Sequence, residues 1–169
     1  MIEKRLVQWY AADAGVDLDI AEREVALTYV LHVLREKGSL NHLAFKGGTA
    51  LRKLYMGATG RFSLDLDFTA TGKIEPDALL LDIVGVLHEQ IYHGISFTIP
   101  SSNYYVTDES GGAEVTYHHN WVTAGSFGLQ ISFRAQPLLP IRPPPCAASV
   151  TLTGWASNRP MSRPSTCTK

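Results

Sequence analysis

Asp65 and Asp67 are the residues of this sequence best placed to do chemistry. They lie in Arg61-Phe62-Ser63-Leu64-Asp65-Leu66-Asp67-Phe68, where apolar and polar residues alternate. On a strand that alternation puts both carboxylates on one face, ~6.6 Å apart along the chain. Phe62, Leu64, Leu66 and Phe68 would cover the opposite face. Paired carboxylates repel unless a cation lies between them. Mg²⁺ (or Mn²⁺), a hard ion held by one or two carboxylates and completed by substrate phosphates, suits the pair. The ordinary alternative is an edge strand with a solvated acidic face.

A second segment precedes this one: Phe45-Lys46-Gly47-Gly48-Thr49-Ala50-Leu51-Arg52-Lys53-Leu54-Tyr55. A strand running into two glycines and then a helix lets the backbone turn sharply and a ligand approach closely. The first turn of the helix offers unpaired N–H groups to an anion. Thr49 adds a hydroxyl and Arg52 a positive charge one turn later, so the segment reads as a candidate triphosphate cradle. Alone it is weak, because Gly-Gly before a helix is more often only a turn.

Together the two segments are more specific. A Gly-Gly turn, a helix, and Asp-x-Asp some sixteen residues later resemble the active-site core of polymerase-β-type nucleotidyltransferases. More narrowly, the two quoted stretches resemble the first two motifs of the AbiEii/MenT nucleotidyltransferase toxins of bacterial toxin–antitoxin pairs. The resemblance is close over residues 44–68, fair over the N-terminal helices, and fades after about residue 135.

That resemblance implies an α/β (α+β) fold with a small mixed, mainly antiparallel sheet and packed helices. It implies that Gly47 and Gly48, with Thr49, Arg52, Ser63 and Arg61, bind nucleotide. Asp65 and Asp67 would hold one or two Mg²⁺ ions, and Lys46 would join them at the catalytic centre by neutralising phosphate charge. The implied reaction moves a nucleotide from a nucleoside triphosphate to RNA, in particular the 3′ end of tRNA. The implied partner is an adjacently encoded antitoxin that restrains the toxin.

One position departs from the pattern. The family's third carboxylate falls in a segment like Lys-x-Glu-x-Ser-Phe-Arg, and the matching stretch here is Gly128-Leu129-Gln130-Ile131-Ser132-Phe133-Arg134. Gln130 stands at the acidic position, and a neutral amide carries no charge. Glu114, one β segment earlier, would substitute only if it faces inward. Activity impaired by Gln130 is therefore one expectation. The rival readings are a relative that binds nucleotide or antitoxin without catalysis, and transfer to a protein or small molecule.

The elements that must position these residues are legible in outline. Residues 3–14 form an amphipathic helix with Leu6, Trp9, Tyr10 and Ala14 on one side. Asp19, with Glu22 three residues on, reads as the capping box of a longer helix carrying Val25, Leu27, Val30, Leu31 and Leu34, which Gly38 closes. Residues 40–46 predict a strand, and a helix from Thr49 carries Ala50, Leu51, Leu54 and Tyr55 until Gly57. A strand follows over 61–70. Pro76 opens a helix whose stripe runs from Leu79 through Leu80, Ile83, Val84 and Leu87 to Ile91, and Gly94 ends it. Three β segments are expected near 95–99, 113–118 and 128–134.

Composition sets the outer bounds. The chain has 169 residues, 45% of them hydrophobic, with a net charge of −1. This is globular composition with no global attraction to nucleic acid or anionic membranes. The start lacks an apolar signal core and no apolar run is long enough to cross a bilayer, so a cytoplasmic location is expected. Seven of the nine prolines, and no Asp or Glu, fall from Ala135 onward. The expected organisation is a nucleotidyltransferase domain over 1–134 and an irregular Pro-rich tail over 135–169, of a kind that an altered reading frame would produce. Cys146 and Cys167 read as free thiols. The six histidines read as surface or core residues rather than zinc ligands. Ser63 reads as a metal-site or hydrogen-bonding hydroxyl, with a phosphosite as the sharper alternative. Tyr104-Tyr105 beside Asn103 could stack a base, against the commoner role of a strand-end aromatic pair.

Overall fold

In the computed structural model the described residues are 2–57, 60–121 and 124–134. The sheet runs β1 (Leu43–Lys46), β2 (Leu66–Ala70), β7 (Gly125–Ser132), β6 (Ser110–His119), β4 (Ile95–Thr98), β3 (Gln90–Tyr92). β5 (Tyr104–Val106) shares with β4 the β6 edge that faces away from β7. Only β2 and β7 run parallel among these pairs; the others are antiparallel. The mixed, mainly antiparallel sheet with packed helices is as the sequence predicts.

Alternation decides which face is buried. Leu66, Phe68 and Ala70 of β2, Phe127, Leu129 and Ile131 of β7, and Ala113, Val115 and Tyr117 of β6 all point into one core. The core is closed from the same side by α2 (Leu18–Glu36), through Ala26, Leu27, Val30 and Leu34, and by α4 (Pro76–Leu87), through Leu79, Leu80, Ile83 and Leu87. Each such buried Leu or Phe contributes roughly 1.5–3 kcal/mol relative to exposure. Among the described residues the sheet's other face is open and polar, carrying Lys46, Asp67, Gln130 and Glu114. α1 (Lys4–Ala14) packs on α2 through Val7 and Ala11, against Ala21 and Val25. Its buried stripe is thus Val7/Ala11, whereas Leu6 and Trp9 of the predicted face are exposed.

Several predicted boundaries move, each for an identifiable reason. α2 starts at Leu18 with Asp17 as the cap residue; no capping side-chain bond forms, and Glu22 is buried, accepting a hydrogen bond from Trp121 Nε1 at 3.1 Å. Gly38, at φ 85, does end that helix as expected. α4 stops at Leu87 rather than near Gly94, because His88 turns extended and its Nδ1 accepts the Ile99 N–H at 3.0 Å. Ile91 consequently lies exposed on β3. The helix after the glycines is short: α3 (Gly47–Leu51) widens into a π turn over Arg52–Met56. That turn buries Arg52 and Lys53 and leaves Leu51 and Tyr55 exposed at 55% and 64%. The predicted 135–169 tail, with both cysteines, lies outside the described residues.

Candidate functional site

The site forms where β1, α3, β2 and β7 meet on the open face. Gly47 takes φ 77, a left-handed conformation that favours glycine, at the turn from β1 into α3. A Cβ there would collide with Asp67 Oδ2, so the Asp67 carboxylate lies directly against the glycine turn. A Cβ on Gly48 would come within 3.2 Å of Ser63 Oγ. Gly47 is therefore required by its conformation and by close packing, and Gly48 is closely approached, so the turn brings Gly47, Gly48, Ser63 and Asp67 together.

Asp65 lies just before β2 rather than on it. The strand begins at Leu66 because both polar ends of Asp65 are used elsewhere. Its carbonyl accepts the Thr49 hydroxyl at 2.6 Å, and its Oδ1 accepts the Gly128 N–H at 3.0 Å. The carboxylate thus ends the β2–β7 ladder in place of a backbone group. Asp67 sits on β2, opposite Lys46 of β1 on one side and Gln130 of β7 on the other.

Lys46 is exposed and lines a niche of ≈ 90 Å³ with Asp67, Tyr105, Ser110 and Gln130. A larger open cleft of ≈ 670 Å³ adjoins it, lined by Asp65, Glu114, Ser126 and Gly128 among others. Tyr105 and Gln130 line both. Glu114, opposite Gly128 in the β6–β7 register, is the inward-facing residue for which the sequence offered only a condition. Gln130 lies beside Asp67 on the same face, so its neutral amide occupies the position flanking the acidic pair.

Two residues expected at the nucleotide do other work. Thr49 is fully buried, with its hydroxyl spent on Asp65. Arg52 is buried away from the cleft: its guanidinium lies 3.6 Å over the Phe62 ring, donates to the Gly60 carbonyl and to Tyr10 Oη at 3.3 Å, and has Nε 3.6 Å from Glu24 Oε1. Lys53 joins the cluster, with Nζ 2.7 Å from both Glu24 Oε1 and Thr28 Oγ1. Burial pushes the Lys53 amine below its usual 10.5 despite Glu24. Glu24 is the anchor that sequence reasoning missed, since nothing local marks it as a partner for residues near 52. Arg61 is exposed and lines neither cavity.

Residues 30–153 match the family described as nucleotidyl transferase AbiEii toxin, type IV toxin–antitoxin system. The chain belongs to this family. Among solved structures, it is similar to MenT4, a nucleotidyltransferase toxin from Mycobacterium tuberculosis H37Rv, at 28% identity and a TM-score of 0.61. The likeness covers 82% of this chain and 45% of that one, so the chain spans less than half of that toxin's length. No curated protein matches.

This AbiEii-family site is compatible with a divalent ion. Its donors are hard carboxylate oxygens, and Asp67 is pressed to the glycine turn where phosphate would approach. Among the described residues no group of three or more His, Cys, Asp or Glu converges to form a closed cage. Two carboxylates with substrate oxygens completing the shell is the usual arrangement for Mg²⁺ in phosphoryl-transfer sites. Also among the described residues, no helix is long and apolar enough to cross a membrane.

Proposed function

We propose that this chain is a Mg²⁺-dependent nucleotidyltransferase toxin that moves a nucleotide from a nucleoside triphosphate to RNA, the tRNA 3′ end being the leading acceptor. The observation that carries it is the packing of Asp67 against the Gly47 turn with Asp65 fixed beside it. In this reading Gly47 and Gly48 let the triphosphate approach the backbone, and Ser63 lies at the same turn. Lys46 neutralises phosphate charge from the niche side, and Arg61, exposed and outside both cavities, adds positive charge to the surface nearby in sequence. Asp65 and Asp67 would hold the ion, which would supply positive charge to offset that of the phosphate oxygens.

The bond changes balance. The acceptor hydroxyl oxygen bonds to the α-phosphorus, the bond from that phosphorus to the bridging oxygen breaks, and pyrophosphate leaves with the electron pair. The hydroxyl proton passes to solvent or to Glu114, a carboxylate lining the cleft with Asp65. The protein's part is to hold these groups in line and to place charge where it develops. The toxin acts in the cytoplasm, restrained by a cognate antitoxin.

The test is incubation with each α-labelled nucleoside triphosphate, Mg²⁺ and total tRNA, alongside Asp65→Ala/Asp67→Ala. Label on RNA from the wild type alone supports the proposal. Gln130 beside Asp67 favours a second reading, a relative that binds nucleotide without transferring it. Mg²⁺-dependent nucleotide binding with no label on any acceptor would select that reading instead.

A further inference from the structure

We infer that the ring of Tyr105 is a stacking platform for a nucleobase, set between the niche and the cleft. The inference rests on the proposed nucleotidyl transfer and names how that site would hold a base. β5 is three residues long, and alternation splits its side chains. Tyr104 and Val106 pack against the core, while Tyr105 turns to the open polar face and is 50% exposed.

Its partner across the strand pair is Gly112. A Cβ at Gly112 would meet Tyr105 Cε1 at 2.9 Å and Cζ at 3.2 Å, so the ring rests on bare backbone and needs that glycine beneath it. Among the described residues the Tyr105 hydroxyl has no hydrogen-bond partner. Neither core packing nor a hydrogen bond accounts for an aromatic side chain here.

The position does account for it. Tyr105 and Gln130 border both the niche holding Lys46 and Asp67 and the cleft holding Asp65 and Glu114. A ligand that spans from the niche at Asp67 into the cleft would lie along this ring. A flat, uncharged base suits such a surface between the charged groups Arg23, Asp65 and Glu114 of the cleft and Lys46 and Asp67 of the niche, and stacking on an aromatic ring accepts any base. Asn103 and Gln130 lie on the same lining and offer amide donors and acceptors to a base edge. The base could come from the nucleoside triphosphate or from the end of a single-stranded acceptor.

Tyr105→Leu removes the π face and keeps bulk; Tyr105→Phe keeps the ring. Leu81→Ala, exposed on α4 in the helical layer, is the control. Two probes separate the sources: each nucleoside triphosphate with Mg²⁺ by calorimetry, and a fluorescein-labelled single-stranded RNA of mixed sequence by anisotropy. Tyr105→Leu should weaken one probe about tenfold or more, with the ring-retaining variant restoring affinity. The probe that weakens identifies the source of the base. Tyr105→Leu binding both probes as tightly as wild type would overturn the inference, leaving the transferase proposal standing. Equal loss in both Tyr105 variants would overturn it too, since the hydroxyl would then be responsible. A wild type that binds neither probe would sink the transferase proposal and this inference with it.

Discussion

The Thr49 hydroxyl donates a 2.6 Å hydrogen bond to the backbone carbonyl of Asp65, tying the helix after the glycine turn to the first of the two acidic residues. Thr49 is fully buried, so water cannot replace the bond. Thr49→Val keeps the shape and removes the donor, leaving a carbonyl unpaired. The expected loss is about 1–3 kcal/mol of stability, read as a lower urea midpoint at unchanged slope. Thr49→Ser should recover most of it. A valine variant as stable as wild type would show that the bond does not hold Asp65.

Arg52 separates two roles by experiment. As a phosphate contact, Arg52→Lys would weaken nucleotide binding and spare the fold. The observed burial over Phe62, with Gly60, Tyr10 and Glu24 as partners, predicts the reverse. Lys keeps the charge but cannot reproduce the planar fork, so stability should fall by about 1–3 kcal/mol through the lost bonds to Gly60 and Tyr10. Nucleotide affinity per folded molecule should stay within about twofold, a difference of roughly 0.4 kcal/mol. Calorimetry on the folded fraction at low temperature checks this; a selective loss of nucleotide affinity would return Arg52 to the phosphate.

What was legible in the sequence was short-range. Gly47-Gly48 before a helix, and the Asp65/Asp67 alternation, need only their neighbours to be read, and the structure brings them together. The start of β2 was not legible, because it depends on Thr49 sixteen residues back and on Gly128 sixty-three residues ahead. Arg52 and Lys53 of the π turn both pair with Glu24, and that long-range pairing has no periodic signature. β3 and β5 are each three residues long, too short for alternation to reveal. Gln130 was found by its motif, yet its place beside Asp67 required the parallel β2–β7 register. Glu114 faces the cleft for the same kind of reason, through its pairing with Gly128.

His119 confers a pH dependence. Its ring is buried and stacked on Trp121 at 4.5 Å and 15°; the Glu22 backbone opposes the effect of burial, but neither ring nitrogen reaches a partner in hydrogen-bond geometry among the described residues. Burial pushes its pKa below the usual 6.5. Between that depressed value and 6.5 the unfolded chain binds the proton and the folded chain does not. Stability is therefore lost as pH falls below 6.5, with a slope of at most about 1.4 kcal/mol per pH unit for one proton. Urea unfolding between pH 5 and 7.5 should show that decline, and His119→Phe should flatten it while keeping the stack. An unchanged slope in the phenylalanine variant would assign the acid sensitivity to other groups.

Gln130→Glu tests how much the missing charge matters. The new carboxylate would stand opposite Asp67 in the parallel ladder, on a strand whose backbone runs about 4.8 Å from that of β2. Without a cation the like charges repel, so the variant should melt below wild type. A ligand that binds only the folded state stabilises it, so if the acidic pair holds Mg²⁺ as proposed, adding it should restore the melting temperature more in the variant than in wild type. If the proposed transfer is correct, the same substitution should lower the Mg²⁺ concentration needed for half-maximal labelling of RNA and raise the rate. Labelling that is unchanged while Mg²⁺ stabilisation increases would mean that Gln130 limits ion binding alone. A variant with neither effect would show that position 130 does not face the ion, and that the acidic pair works without a third carboxylate from β7.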